Sequence, residues 1–232
     1  MSQSNRRTLG LLLIVACAPS IGSLAALWIW PGTLGSSVYA TCKIILYGAP
    51  AVVAFRTLGR AEVLAGVRRG FKAKSVVYGI VSGGLIGGLI LGLWFWFLSA
   101  HTDVSRLLEV IRETGLDGPM KYWLFAAWLS IGNSFLEEFV FRWFIDSRLR
   151  LLGLGTALAL PLSAAIFTLH HVIVLSAYFD PTIVLLGSAG VFTGGLLWSF
   201  TLMRWGSLVP GWICHTLVDV AIFIVGASVL GL

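Results

Sequence analysis

The chain has 232 residues, of which 58% are hydrophobic and only 11% are charged. In a soluble domain roughly a quarter of the residues are charged. This composition therefore excludes a soluble globular protein and indicates a membrane protein. The net charge of +6 does not predict a nucleic-acid partner, because the basic residues lie between apolar runs, where topology explains them. The three cysteines all lie within apolar runs and predict neither a disulfide framework nor a metal-binding pair: Cys17, Cys42 and Cys214.

Seven apolar stretches approach or exceed the ~20 residues that a helix needs to span a bilayer. They are residues 9–30, 36–55, 76–99, 120–145, 156–178, 182–203 and 207–231. The fourth contains two carboxylates and is the least apolar. The sequence therefore predicts an all-α polytopic membrane helix bundle of about seven transmembrane helices. No linker or change in composition divides the chain, so we expect residues 1–232 to form a single membrane domain.

The first apolar stretch has features of a secretory signal. Arg6 and Arg7 precede it, and residues 14–17, Ile-Val-Ala-Cys, are similar to a lipoprotein processing site. The apolar run nevertheless continues past Cys17 to Trp30, which is long enough to span a membrane. We expect this segment to be retained as the first helix.

The basic residues predict the orientation of the chain in the membrane, since cytoplasmic loops are enriched in Lys and Arg. Twelve of the sixteen fall on one side: Arg6, Arg7, Arg56, Arg60, Arg68, Arg69, Lys72, Lys74, Arg142, Arg148, Arg150 and Arg204. Four are left for the other side or for the spans: Lys43, Arg106, Arg112 and Lys121. This distribution predicts a cytoplasmic N-terminus and a C-terminus on the opposite side.

Residues 103–114 predict a short amphipathic helix on the outer membrane interface. Its apolar residues recur at helical spacing, and glycines follow it. An ordinary connecting helix is the alternative. The apolar positions are Val104, Leu107, Leu108 and Ile111.

Glycines at four-residue spacing predict close helix packing in two of the spans. They are Gly84, Gly88 and Gly92 on the third span, and Gly190 and Gly194 on the sixth.

The fourth span contains the residues Glu137-Glu138-Phe139-Val140-Phe141-Arg142. An ionised side chain at the centre of a span costs roughly 2.5–3.5 kcal/mol, so such residues indicate a functional site by default. In a helix, Glu138 and Arg142 lie on nearly one face, whereas Glu137 points about 100° away. Arg142 can therefore neutralise Glu138 and leave Glu137 as a candidate general base. A purely structural ion pair would explain Glu138 and Arg142 but not Glu137.

Two later spans contain paired histidine motifs. In Phe167-Thr168-Leu169-His170-His171, Phe167 and His171 share a helix face and His170 points away, so we expect His170 only to pack. In His215-Thr216-Leu217-Val218-Asp219, His215 and Asp219 project together. A polar pair that only holds the last helix in the bundle is the alternative for the second motif. Cys214 diverges from His215 by about 100° and is disfavoured as a nucleophile.

Taken in order, these three motifs resemble the CPBP family of intramembrane proteases, which includes the CAAX endopeptidases that trim prenylated proteins. The resemblance covers residues 120–220 and implies an all-helical bundle whose motifs meet in one cavity. It implies that Glu137 activates water with help from His171, and that His215 and Asp219 stabilise the oxyanion. It also implies supporting roles for three residues: Glu138, Arg142 and Phe167.

One position departs from the CAAX-endopeptidase branch, whose members often carry Asn where this chain has Asp219. Asn donates a hydrogen bond at any pH, whereas Asp donates only when protonated. Asp219 therefore has an alternative role, in which it orients His215.

The sequence leaves open whether a metal takes part in the reaction. The same four side chains are a plausible zinc ligand set: Glu137, His171, His215 and Asp219. Because no His-Glu-x-x-His signature is present, we favour a mechanism without a metal or other cofactor. A non-enzymatic membrane scaffold or transporter is the remaining alternative, although a transporter would be expected to contain repeats that we do not find.

The resemblance does not name a substrate. A compact chain without a soluble domain is typical of a bacterial inner (cytoplasmic) membrane protein. We expect it to process the leader or C-terminal anchor of a membrane-associated protein or peptide. Its partners would then be membrane lipid and that substrate.

Overall fold

A computed structural model describes residues 3–58 and 71–232 of the chain. Arg60, Arg68 and Arg69, three of the basic residues assigned above to the cytoplasmic side, lie outside the described residues. The described residues form helices, turns and short connections without a β-strand. The prediction of an all-α fold is therefore confirmed.

Eight helical segments follow one another along the described chain. They are α1 (Gln3–Leu24, continued by a π-helical turn Ala25–Ile29), α2 (Thr33–Thr57), α3 (Ala73–Trp96), α4 (Ser105–Glu113), α5 (residues 119–151), α6 (Thr156–Ser176), α7 (Pro181–Trp205) and α8 (Val209–Leu230). Six of them are long and apolar enough to cross a membrane. These six correspond to six of the seven predicted spans and begin and end within a few residues of the predicted bounds.

The seventh predicted span, residues 120–145, lies within α5, which is helical throughout but not uniformly α-helical. It runs as Pro119–Ala127, a π-helical Trp128–Asn133, Ser134–Glu137, a π-helical Glu138–Ile145 and Asp146–Leu151. In a membrane every backbone polar group needs a partner. Neighbouring helices supply some: Trp212 Nε1 donates to the carbonyl oxygen of Ile131 at 2.9 Å, and Ser163 Oγ donates to that of Phe141 at 2.7 Å.

α5 lies at the centre of the bundle, where it contacts α1, α2, α6, α7 and α8. The other helices pair mainly with one neighbour each: α3 with α8, α6 with α7, and α1 with α2. Large apolar side chains on their outer faces are exposed, among them Ile44, Leu85 and Leu185. The second half of α5, which carries both carboxylates, is thus buried among its neighbours, whereas Met120, Leu124, Trp128 and Ile131 in its first half are exposed.

α4 has the predicted amphipathic character. Leu107, Leu108 and Ile111 are partly buried, whereas Arg106 and Glu109 are exposed. Gly115 follows the helix with a positive φ of 67°, a conformation that favours glycine.

The glycines predicted to mediate packing are on the wrong face of their helices. A Cβ added at Gly84, Gly88 or Gly190 would meet nothing within 4 Å, and at Gly92 or Gly194 it would approach only a tryptophan of the same helix. On α3 the packing glycines lie one helix face away, at Gly79, Gly83 and Gly87, where an added Cβ would lie 2.7, 2.9 and 3.2 Å from α8 atoms.

On α7 the glycines in close contact with α6 are Gly187 and Gly195, whose added Cβ atoms would lie 3.0 Å from Leu175 Cδ1 and 3.1 Å from Ala164 Cβ. On α3 the four-residue spacing holds for both the lipid-facing and the packed glycines. The sequence alone does not identify which set faces a neighbouring helix.

Candidate active site

Two adjacent carboxylates on α5 form the centre of the candidate site. Glu137 and Glu138 are 6% and 1% exposed, deep in a helix that is itself surrounded. Glu137 ends a short α-helical stretch, and Glu138 begins the second π-helical stretch. Single π-helical turns occur frequently at functional sites, and here two π-helical stretches flank the residues that carry the charge.

The imidazole of His215 on α8 lies between the two carboxylates. Its Nδ1 is 3.0 Å from Glu138 Oε1, a hydrogen bond, and its Nε2 is 3.8 Å from Glu137 Oε2. The indole of Trp198 stacks on the ring, with centroids 3.8 Å apart and planes at 13°. Because a carboxylate can only accept, Nδ1 donates to Glu138 and Nε2 faces Glu137.

Glu138 therefore contacts both the active-site histidine and Arg142. The predicted pairing of Glu138 with Arg142 is present, at 3.7 Å between Oε1 and Nε. The fully buried guanidinium of Arg142 lies 4.5 Å from the Phe167 ring centroid and 5.3 Å from that of Trp198. Cation–π contacts of this kind stabilise a charge that has few hydrogen-bonding partners.

His171 on α6 lies near the same two side chains, Glu137 and His215. Its Nδ1 is 3.0 Å from the carbonyl oxygen of Phe167, which can only accept, so Nδ1 carries the proton and Nε2 is left free. The ring of Phe167 lies 4.6 Å from that of His171 and 6.0 Å from that of His215. The shared helix face of Phe167 and His171 is thus as predicted.

Asp219 lies beside Nε2 of His215, with Oδ1 at 3.7 Å. It is therefore on the same side of the imidazole as Glu137, whereas Glu138 occupies Nδ1. The atom that a residue orienting His215 would contact is already bonded to Glu138. The structure thus brings all four predicted site residues to one imidazole or its surroundings.

Three other residues, His170, His101 and Cys214, have different surroundings. His170 is buried and packs its ring against Phe141 and His171, at 5.8 and 4.1 Å between centroids. His101 is exposed and bonds to the carbonyl oxygen of Phe97. The backbone of Cys214 packs against Gly83 of α3. The packing of His170 agrees with the role expected from the sequence.

Three residues that the sequence analysis did not assign to the site are joined to Glu137. Asn133 Nδ2 donates to Glu137 Oε1 at 2.8 Å, Tyr47 Oη donates to Asn133 Oδ1 at 2.8 Å, and Lys43 Nζ lies 3.0 Å from Tyr47 Oη. Lys43 had a signal in the sequence, since a lysine within an apolar span is costly. Asn133 and Tyr47 had none.

A zinc site would require at least three of the candidate ligands to converge on one point. Within residues 3–58 and 71–232, no three His, Cys, Asp or Glu side chains are arranged to hold a metal ion. Nδ1 of His215 is bonded to Glu138, and that of His171 to a backbone carbonyl. We therefore derive no catalytic step through a metal.

Comparison with known proteins gives one match. Residues 119–221 match the family model described as type II CAAX prenyl endopeptidase Rce1-like. This segment of the chain belongs to the Rce1-like family, within the CPBP proteases. It is somewhat less than half of the chain, and it contains α5 to most of α8 and all four predicted site residues. No curated protein and no solved structure matches the chain.

The six apolar helices support a multi-pass membrane protein, and residues 119–221 resemble a family of CAAX-type intramembrane proteases. α2, which carries Lys43 and Tyr47, lies outside the matched segment.

Proposed function

We propose that this protein is an intramembrane endopeptidase in which Glu137 activates the water that attacks the peptide bond. The observation that carries the proposal is the arrangement around the Glu137 carboxylate. One oxygen accepts a hydrogen bond from Asn133, and the other faces His215 Nε2 at 3.8 Å. That separation is too long for a direct hydrogen bond, and a water molecule beside the pair can contact both atoms.

In the proposed reaction, the water oxygen attacks the peptide carbonyl carbon and its proton passes to Glu137 Oε2. His171, with Nε2 free, helps to hold the water. The carbonyl oxygen becomes an oxyanion. The C–N bond then breaks, Glu137 returns the proton to the departing amine, and the carboxylate is restored. Every proton therefore ends on product or solvent, and the side chains are unchanged.

His215 is the proposed donor to the oxyanion. Because its Nδ1 donates to Glu138, it donates from Nε2 only when the ring is protonated. Glu137 and Asp219 flank Nε2 at 3.8 and 3.7 Å and supply opposite charge for that form. A preorganised charged donor in a dry site is a strong source of transition-state stabilisation.

We infer that the substrate is a membrane-associated protein or peptide, cleaved near or within the bilayer at its leader or C-terminal anchor. The site lies on a central helix of a bundle with lipid-compatible outer faces, so such a substrate reaches it from membrane lipid. The distribution of basic residues supports a cytoplasmic N-terminus, and we expect the membrane to be a bacterial inner membrane.

The proposal is tested by comparing membranes from cells that make the wild-type protein or the Glu137→Gln variant. New protein N-termini are labelled chemically and quantified by mass spectrometry. The amide of the variant keeps the shape and can still accept from Asn133, so we expect normal expression and thermal stability but no wild-type-specific N-termini. Undiminished cleavage in the variant would overturn the glutamate mechanism.

A chelator separates the two proposed chemistries. Cleavage by purified wild-type protein is expected to survive treatment with EDTA or phenanthroline. Loss of activity that zinc restores would instead support the metal-dependent alternative. If cells making the wild-type protein yield no new N-termini relative to cells without it, the non-enzymatic alternative is favoured.

A further inference from the structure

Four side chains form a continuous hydrogen-bonded path from α2 to the proposed base. Lys43 Nζ lies 3.0 Å from Tyr47 Oη and 3.5 Å from Asn133 Oδ1, and Tyr47 Oη lies 2.8 Å from the same amide oxygen. Asn133 Nδ2 then donates to Glu137 Oε1 at 2.8 Å. The path links one charged side chain of α2 to one charged side chain of α5.

The donors along this path fix which way the Asn133 amide points. An ammonium group only donates, and an ionised carboxylate only accepts. In the reversed orientation, the Asn133 NH₂ group would face the Lys43 ammonium, and its oxygen would face the Glu137 carboxylate. Both contacts would then be repulsive, so Lys43 and Tyr47 hold Oδ1 toward α2 and the NH₂ group toward Glu137.

The same bonds determine which carboxylate oxygen is available for chemistry. Asn133 engages Oε1, and Oε2 is the oxygen that faces His215. A carboxylate held by one oxygen has fewer rotamers to lose when the reacting geometry forms, which favours the productive orientation. The charge of Lys43 also acts directly on Glu137.

We propose that Lys43, Tyr47 and Asn133 are positioning residues that orient the Glu137 carboxylate for water activation. α2, which lies outside the Rce1-like segment, is then part of the active site. This inference rests on the proposed function of Glu137. The three residues act through Glu137 and are not proposed to touch the substrate.

The matched test compares two tyrosines on the same face of α2. Tyr47→Phe removes the hydroxyl that bonds Asn133. Tyr39→Phe removes a hydroxyl outside the path and keeps the ring, 5.6 Å from Lys43 Nζ, that contacts the ammonium. Loss of a partner that orients an active-site group costs about 10–100-fold. We therefore expect Tyr47→Phe to lower kcat by about 10–100-fold with little change in KM, and Tyr39→Phe to resemble the wild type.

Lys43 variants provide a second comparison. Lys43→Met keeps the length of the side chain but loses the donor and the charge, and is expected to lower kcat about as much as Tyr47→Phe. Lys43→Arg keeps both properties and should retain clearly more activity than Lys43→Met. The substrate is a synthetic peptide that covers a cleavage site mapped from the new N-termini. Thermal stability of each variant in detergent is measured in parallel.

The outcomes distinguish a failure of the proposed positioning role from a failure of the proposed function. If Glu137→Gln is inactive but Tyr47→Phe matches Tyr39→Phe in kcat, the positioning role is wrong and the glutamate mechanism stands. If the loss in Tyr47→Phe appears in KM, or only together with a lowered midpoint of thermal unfolding, the residues are structural and the inference is overturned. If Glu137→Gln is active, both proposals fail.

Discussion

Replacing Gly83 of α3 with alanine is expected to push α3 away from α8, whereas the same change at Gly84 is expected to be harmless. A Cβ at position 83 would lie 2.9 Å from both the Cα and the carbonyl oxygen of Cys214. Those are backbone atoms, which cannot rotate away as a flexible side chain can. At Gly84 an added Cβ meets nothing within 4 Å.

The expected difference in stability between the two variants does not depend on helix propensity, which contributes equally to both. Both variants gain the same preference of about 1 kcal/mol for alanine over glycine in a helix. Only Gly83→Ala also carries the cost of overpacking, about 1–3 kcal/mol. In a chain of this length each kcal/mol moves the midpoint of unfolding by about 2–4 °C. Gly83→Ala should therefore unfold about 2–12 °C below Gly84→Ala.

The assay is size-exclusion chromatography of a fluorescent fusion in detergent after heating at a series of temperatures. Activity provides a second measurement, because α8 carries His215 one residue after the displaced Cys214. Equal midpoints for the two variants, or a lower midpoint for Gly84→Ala, would refute the packing of α3 on α8 described here.

Three further predictions test other parts of the structure. Glu138→Gln should abolish cleavage and, unlike Glu137→Gln, lower the unfolding midpoint, because it leaves the buried guanidinium without its ion pair, at about 3–5 kcal/mol. His170→Ala, measured in the same two assays, should lose stability but keep most of its activity, since its ring packs against Phe141 and His171 and takes no part in the proposed reaction. Reporter fusions after Leu58 and Leu232 should report opposite sides of the membrane, and matching sides would show that α5 does not cross.

Much of the fold could be predicted because each helix that spans a bilayer needs a continuous apolar run of about 20 residues, which can be read directly along the sequence. Long apolar runs gave six helices close to their observed bounds. The prediction of which glycines pack against a neighbouring helix was wrong for a different reason. Gly83 and Gly84 are equally small, and only the position of α8 decides which one is packed. Contacts between helices are not encoded in local hydropathy.

In the candidate site, too, contacts within one helix could be predicted from the sequence and contacts between helices could not. Spacing correctly placed Glu138 near Arg142 and His215 near Asp219, because i, i+4 geometry is local. It did not predict that Glu138 would also bond Nδ1 of His215, 77 positions away. Nor did it identify Asn133, which has no unusual context in the sequence and becomes significant only through its neighbours in space.

Charge balance gives a physical reason why these long-range contacts belong together. Arg142 alone does not offset the two adjacent carboxylates Glu137 and Glu138, and a buried charge without a partner is strongly destabilising. Two further cationic or protonatable groups approach from other helices: His215 from α8 and Lys43 from α2. His215 contacts Glu138 directly, whereas Lys43 is linked to Glu137 through Tyr47 and Asn133. Glu138 is held at Oε1 by the guanidinium of Arg142 and by Nδ1 of His215. Glu137 is held only at Oε1, through Asn133, which leaves Oε2 as the carboxylate oxygen of the pair directed at the reacting side of His215.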